Sequence, residues 1–147
     1  MTSTDIVADT LGYPSGALAA TMGITVTELR ADHSSAHMRV AGNTQVTGRV
    51  HGGAYAVLAE TLASLSANVH AGEGRVALGI ELSASHVGGA ASGDVHAECT
   101  AVSLGARITV HQVTLTDDDG RLLSTVRVTN YLSSSSKGRH HEPDQHL

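Results

Sequence analysis

The chain has 147 residues, one lysine and a net charge of −5, a balance that argues against nucleic acid as its main partner. A single cysteine excludes an internal disulfide framework and fits a reducing compartment. No apolar run approaches the roughly 18 residues of a membrane span, and residues 1–10 lack the basic start and apolar segment of a signal peptide. The expected location is therefore the cytoplasm.

Hydrophobic periodicity and turn signals divide the chain into two helices and six strands. In chain order they are a short helix at 15–22, strands at 23–32 and 34–41, a long helix at 52–70, and strands at 75–86, 92–104, 106–116 and 121–132. The polar, Ser-rich and His-rich segment 133–147 is predicted to be a disordered tail. One domain over residues 1–132 is therefore expected.

The order of these elements predicts an α+β fold. Long strands in hairpin succession imply an antiparallel sheet, and one apolar helix inserted early implies that the sheet curls around it. Phe and Trp are absent, so the core must consist mainly of Val, Leu, Ile and Ala. Cys99 alternates with Val95, Ala97 and Ala101 in a strand pattern, which indicates a buried structural thiol and not a nucleophile.

The long helix carries one carboxylate, Glu60, among apolar residues, and it begins with two glycines. At about 100° per residue, small residues fall within roughly 60° of Glu60 around the axis. They are Gly53, Ala56, Ala63, Ser64 and Ala67. A bulkier stripe lies opposite and suits packing against a sheet; it comprises Leu58, Leu62, Leu65 and Val69. The pattern predicts a shallow groove around a buried carboxylate.

A solvent-facing Glu60, or one paired with an arginine in an interface, is the alternative. No Lys or Arg lies between Arg49 and Arg75, so no local i,i+4 partner exists. Accessible N–H groups at the glycine-rich helix start would favour developing negative charge. A carboxylate combined with such a helix N-terminus suits acyl transfer.

The distance along the helix limits whether Gly52 and Glu60 of one chain can act on the same substrate. Gly52 and Glu60 are eight residues apart, which is about 12 Å at 1.5 Å per residue. One chain therefore cannot easily present both groups to one carbonyl. If both act on the same substrate, Glu60 should come from a symmetry-related helix, and a dimer is the smallest active unit.

The segment 43–64, NTQVTGRVHGGAYAVLAETLAS, resembles the hotdog-fold thioesterases of the phenylacetate-degradation and 4-hydroxybenzoyl-CoA type. The resemblance extends over roughly residues 12–132. An Asn or Gln loop, then V-H-G-G, then a helix with L-A-E is specific to that family when this strand order surrounds it. The resemblance implies a hotdog fold, a homodimer or a dimer of dimers, an acyl-CoA substrate, and no metal or organic cofactor.

The resemblance also implies roles for individual residues. Glu60 matches the catalytic carboxylate, acting as nucleophile or as general base on water, and Gly52 matches the residue whose backbone N–H polarises the thioester carbonyl. Gln45 matches a side chain that contacts the thioester. The other matched residues are His51, which orders the loop, Ser64 near the attacking water, and the substrate-binding positions Gly53 and His86.

Structural alternatives remain open for four of these residues. His51 could be only a helix N-cap or loop brace, and Gln45 an ordinary loop amide. Ser64 could return its hydroxyl to the backbone four residues earlier. His86 follows an apolar set at strict period two, which would direct it to the helix-facing side as a pocket residue or a satisfied core histidine. That set is Val76, Leu78, Ile80, Leu82 and Ala84.

One departure from the family concerns the nucleotide. Many acyl-CoA-binding members carry Pro and a basic residue just after the position of His86, whereas this chain has VGGAASGD. Strong capture of the CoA 3′-phosphate would then depend on arginines elsewhere: Arg75, Arg107, Arg121 or Arg127. No histidine spacing predicts a metal site.

The predicted function is hydrolysis of a small aryl or medium-chain acyl-CoA thioester. A hotdog dehydratase or hydratase is the enzymatic alternative, and a non-catalytic acyl-CoA-binding module is the alternative from another class.

Overall fold

The computed structural model describes residues 5–134. Its helices are α1 (Ile6–Leu11), α2 (Ala17–Met22) and α3 (Gly52–Ala71). Its strands are β1 (Ile24–Leu29), β2 (His33–Arg39), β3 (Arg75–His86), β4 (Asp94–Leu104), β5 (Ile108–Thr116) and β6 (Leu122–Ser134). Helix α1 was not predicted from the sequence. It has six residues; Asp5 caps its N-terminus and Gly12, which has a φ of 82°, caps its C-terminus. Ser133 and Ser134 extend β6 beyond the predicted domain boundary, and residues 135–147 of the predicted tail lie outside the described residues.

All six strands form one antiparallel sheet in the order β1-β2-β4-β5-β6-β3. The predicted antiparallel sheet around one long helix is confirmed. Hairpin succession holds for β1-β2 and for β4-β5-β6, but β3 pairs with β6 and not with β4. Strands β1 and β3 are consequently the two edges of the sheet within the described chain.

Helix α3 is packed along most of its circumference. The predicted bulky stripe is in the core, since Leu58 and Leu62 are fully buried. The prediction of a small-residue groove is wrong at Ala63 and Ala67, which are also fully buried. Ala67 packs with Ala77 and Leu132. Small side chains here let the curled sheet approach the helix, and only the strip that carries Glu60 is left open.

Strand β3 contains a β-bulge between Gly79 and Glu81. The extra residue, Ile80, exchanges the two faces of the strand at this point. Ala77 is buried before the bulge and Leu82 packs against the core after it, whereas Leu78 and Ile80 are 50% and 58% exposed. The strict period-two prediction is therefore wrong for the first half of β3 and right for Leu82 and His86.

The core consists mainly of aliphatic side chains, as the composition requires, with Tyr55 as its one large aromatic residue among those described. Cys99 is fully buried in this core, and its thiol lies 3.9 Å from the Ser66 hydroxyl. Burial raises the pKa of the Cys99 thiol to about 12. No helix in the described part of the chain is long and apolar enough to cross a membrane.

We expect Cys99 to be inert in the folded protein, because the reactive thiolate is suppressed and the sulfur is inaccessible. An aromatic disulfide reagent should modify it at least about 100-fold more slowly than in denaturant, where the thiol becomes exposed. Stoichiometric labelling of the native protein within minutes would contradict this prediction. The same inertness keeps Cys99 from interfering with assays that detect free thiols.

Candidate active site

The N-terminus of α3 is closed by His51. Its Nδ1 accepts a hydrogen bond of 2.8 Å from the Gly53 N–H, so His51 is the helix N-cap. The Ala54 N–H donates to the His51 carbonyl. Among the described residues, the Gly52 N–H has no acceptor, and it is the first-turn donor available to a ligand.

Gly53 lies under the His51 ring. A Cβ at position 53 would come within 2.9 Å of His51 Nδ1, so a side chain there would disturb the cap. The Gly53 N–H is already satisfied by His51. Glycine at position 53 therefore lets the His51 ring lie close to the backbone, and the Gly53 N–H is not free to bind a ligand.

His86 lies directly beside Gly52, as the prediction that it faces the helix requires. A Cβ at position 52 would lie 2.9 Å from His86 Cδ2 and 3.0 Å from Nε2, so the ring occupies the space that glycine leaves. His86 Nδ1 is 2.8 Å from the Ser124 hydroxyl, which itself donates to the Ser85 carbonyl at 3.2 Å. The Ser124 hydroxyl thus lies between the His86 ring and the Ser85 carbonyl and holds the ring in place beside Gly52.

Two residues that sequence reasoning missed support His86. Ser124 is fully buried, and the Tyr55 ring centroid lies 5.3 Å from that of His86. The Tyr55 hydroxyl donates to the Gly88 carbonyl at 3.1 Å, which ties the helix to the loop after β3. The partial signal in the sequence was a lone Tyr in an Ala-rich first turn.

Gln45 lies in the loop between β2 and α3. Its side-chain Nε2 donates to the Thr47 hydroxyl at 2.8 Å, and its Oε1 accepts from the Thr47 N–H. The loop is joined to the helix start, because the His51 N–H donates to the Asn43 carbonyl. In the single chain, the Gln45 amide therefore organises its own loop and contacts neither Gly52 nor Glu60 by a hydrogen bond.

Glu60 is exposed in the single chain, so the prediction of a buried carboxylate is wrong for the isolated chain and the solvent-facing alternative describes it. The sheet does not cover its strip of α3, and within residues 5–134 no cation forms an ion pair with it. Its Oε1 lies 2.6 Å from where a Cβ at Gly79 would be, so β3 approaches the carboxylate only because position 79 is glycine. The other side of Glu60 lines an open groove of about 350 Å³.

This groove runs between α3 and the start of α2. Its lining residues are Ser15, Leu18, Val57, Glu60, Thr61, Ser64 and Leu65. The lining therefore combines three apolar side chains with one carboxylate and three hydroxyls. Gly52, Gln45 and His86 are absent from this lining.

Ser64 lies one turn after Glu60 in the same groove. Its hydroxyl donates to Asn130 Oδ1 on β6 at 3.0 Å, and not to the carbonyl four residues earlier. The predicted alternative of a back-bonded serine is therefore wrong. Asn130, which sequence reasoning missed, is fully buried, and the partial signal was an amide in the apolar strand pattern of β6.

The predicted residues thus form two groups on one helix. Gly52, Gly53, His51 and His86 meet at the start of α3, whereas Glu60 and Ser64 lie in the groove about 12 Å farther along the axis. The first group offers a backbone N–H that can stabilise an oxyanion, and the second offers a carboxylate that can act as nucleophile or base. Within residues 5–134, no three His, Cys, Asp or Glu side chains converge as metal ligands would.

Comparison with known proteins gives consistent results. Residues 47–124 match the model of the Thioesterase superfamily. Over 112 residues, the chain is 38% identical to the proofreading thioesterase EntH of Klebsiella pneumoniae, covering 76% of this chain and 82% of the relative. Thioesterase HI1161 of Haemophilus influenzae superposes with a TM-score of 0.79 and 30% identity, covering 86% of this chain and 89% of the other. A mutant of thioesterase PA1618 of Pseudomonas aeruginosa gives a TM-score of 0.82 and 26% identity, covering 91% and 98%.

Proposed function

The chain belongs to the thioesterase superfamily and is a thioester hydrolase with a hotdog fold, and we propose that its substrate is a small aryl or medium-chain acyl-CoA thioester. The observation that carries the proposed mechanism is the carboxylate of Glu60 beside Gly79, which has no cation partner among residues 5–134 and lines a groove with apolar side chains. The apolar part of the lining suits an acyl chain or an aromatic ring, and a carboxylate without a cation partner in the described chain is available for chemistry.

In the proposed reaction, Glu60 attacks the thioester carbonyl or activates a water molecule. The Gly52 N–H stabilises the oxyanion, because it has no acceptor of its own in the described chain and stands at the positive end of a 20-residue helix. Gln45 positions the thioester, and His51 holds the cap that leaves Gly52 free. His86 and Gly53 border the path of the substrate at the helix start.

A shared active site follows from the separation of the two groups. The groove beside Glu60 lacks Gly52 and Gln45, and a Glu side chain recovers only part of about 12 Å. We propose a homodimer, associating further as a dimer of dimers, in which the helix start of one chain faces the Glu60 groove of its neighbour. Support comes from β3, which is an edge strand with unpaired backbone groups on its outer side within the described chain.

The substrate is tested by screening aryl, aliphatic and carrier-protein thioesters with detection of the released thiol. Release of thiol fastest from small aryl or medium-chain acyl-CoA supports the proposal. Preference for carrier-protein thioesters, or for long chains, would contradict the substrate class. The same panel tests the other two functions, since a hydratase would convert an enoyl thioester without releasing thiol and a binding module would release none.

Removal of the 3′-phosphate from the CoA part of the substrate should change KM little. Residues 87–93, VGGAASG, contain no Lys or Arg, and Arg121, which reaches the Gly89 carbonyl, is also paired with Asp117. We expect KM to differ by less than about tenfold, or about 1.4 kcal/mol, between acyl-CoA and acyl-dephospho-CoA. A much larger difference in KM would mean that arginines converge on the nucleotide, with Arg49, which lies against Gly89, as a candidate.

A further inference from the structure

The Ser64 hydroxyl has a hydrogen-bond partner on the sheet. It carries one proton, which is donated to Asn130 Oδ1 across the helix–sheet interface at 3.0 Å. Serine inside a helix commonly donates to the carbonyl four residues earlier, which here would be that of Glu60. Because the proton is used by Asn130, the Ser64 oxygen has its lone pairs available on the groove side.

Asn130 is an unusual residue for its place in the sheet. It is fully buried and lies between the inward-facing Val128 and Leu132, which are buried apolar side chains of the same strand. Its Nδ2 has no hydrogen-bond partner among the described residues. A buried amide with an unmet donor destabilises a fold relative to an apolar side chain of the same shape, so its presence calls for a function.

The neighbours of Asn130 connect it to the carboxylate. Asn130 pairs in register with Gly79 on β3, and Gly79 is the position whose missing side chain leaves room for Glu60. One cross-strand pair thus lies against both Glu60 and Ser64. Glu60 and Ser64 are four residues apart, so their Cβ atoms are about 5–6 Å apart on one helix face, a gap that a single water can bridge.

We propose that Asn130 is a positioning residue, which holds the Ser64 hydroxyl so that its oxygen accepts a hydrogen bond from the water that attacks the thioester. The inference rests on the proposed function, with Glu60 as general base. The water oxygen bonds to the carbonyl carbon, while one water proton passes to Glu60 and the other is held by Ser64. The carbon–sulfur bond then breaks, and Glu60 returns its proton to the departing thiolate, giving acid and thiol.

The test is a double-mutant cycle in steady-state hydrolysis with Asn130→Leu and Ser64→Ala. Each single variant should lower kcat by about tenfold with KM changed less than about twofold, because only the positioning of water is lost. The double variant should be no slower than Ser64→Ala alone, since Asn130 acts through Ser64. A structural role for Asn130 would instead lower kcat equally in both backgrounds.

Thr109→Val is the matched control. Thr109 on β5 pairs with Asn130, is fully buried and also has a hydroxyl without a partner in the described chain, but it forms no hydrogen bond with Ser64. Its variant should keep the wild-type kcat. If Asn130→Leu does not fold, the smaller Asn130→Val serves in the same cycle.

The outcomes separate the two proposals. Asn130→Leu or Asn130→Val with a kcat within twofold of wild type, or additive losses in the double variant, would overturn the role of Asn130 and leave the proposed function standing. Absence of turnover by the wild type on every thioester of the panel would overturn the proposed function and this inference with it.

Discussion

Glu60→Ala is expected to lower kcat by about two to three orders of magnitude with little change in thermal stability. The loss is large because, among the described residues, no other carboxylate lines the groove between α2 and α3. Stability should hold because Glu60 is exposed and forms no ion pair in the described chain, so truncation opens no core cavity. Thiol release and thermal unfolding of the same preparation measure the two quantities.

Glu60→Gln should be nearly as inactive, since the amide keeps the shape and removes the charge. Glu81→Gln is a matched control on the opposite face of the sheet. Glu81 is exposed, lies two residues from Gly79 and accepts a hydrogen bond from Thr129, so its variant should retain wild-type turnover. More than a tenth of wild-type activity in both Glu60 variants would refute the assignment of the carboxylate.

Mixing two inactive variants should restore activity if the active site is shared between chains. Gln45→Ala and Glu60→Ala, each nearly inactive alone, would form hybrid dimers with one undamaged site and one doubly damaged site. Random reassortment of equal amounts makes about half of the dimers hybrid, so activity should recover to about a quarter of wild type. The rate of thiol release after subunit exchange is the measurement.

A second mixture serves as its control. Glu60 and Ser64 lie in the same groove of one chain, so hybrids of Glu60→Ala with Ser64→Ala carry a lesion in every site and should not gain activity above the two variants alone. Exchange is verified with differently tagged chains. Verified exchange of Gln45→Ala with Glu60→Ala and no recovery would refute the shared site.

Residues with strong local signals were predicted well. The run of Ala and Leu from Gly52, with a stop at Gly72, predicted α3 to within one residue, and β3 was predicted with its observed ends. These signals are local, because they depend on propensity, capping and alternation within a few residues. The position of His86 beside the helix was also predictable, since alternation holds over the second half of β3.

Features that depend on distant partners were not predictable. The pairing of β3 with β6 instead of β4 brings Gly79 opposite Asn130, and no residue pattern within either strand predicts this pairing. The exposure of Glu60 depends on how far the sheet curls around α3. The hydrogen bond from Ser64 to Asn130 joins residues 66 positions apart. The helix sequence alone therefore cannot distinguish it from a hydrogen bond to the carbonyl four residues earlier.

The bulge at Ile80 has a consequence for how this chain tolerates changes of length. Helix-facing residues of β3 have odd numbers before the bulge, at Ala77 and Gly79, and even numbers after it, at Leu82 and His86. Loss of that one residue would restore a regular strand and turn His86 outward or Gly79 away from Glu60. An inserted or deleted residue elsewhere in β3 would do the same to one half, so the approach of His86 to Gly52 and that of Gly79 to Glu60 are kept together only while the bulge is kept.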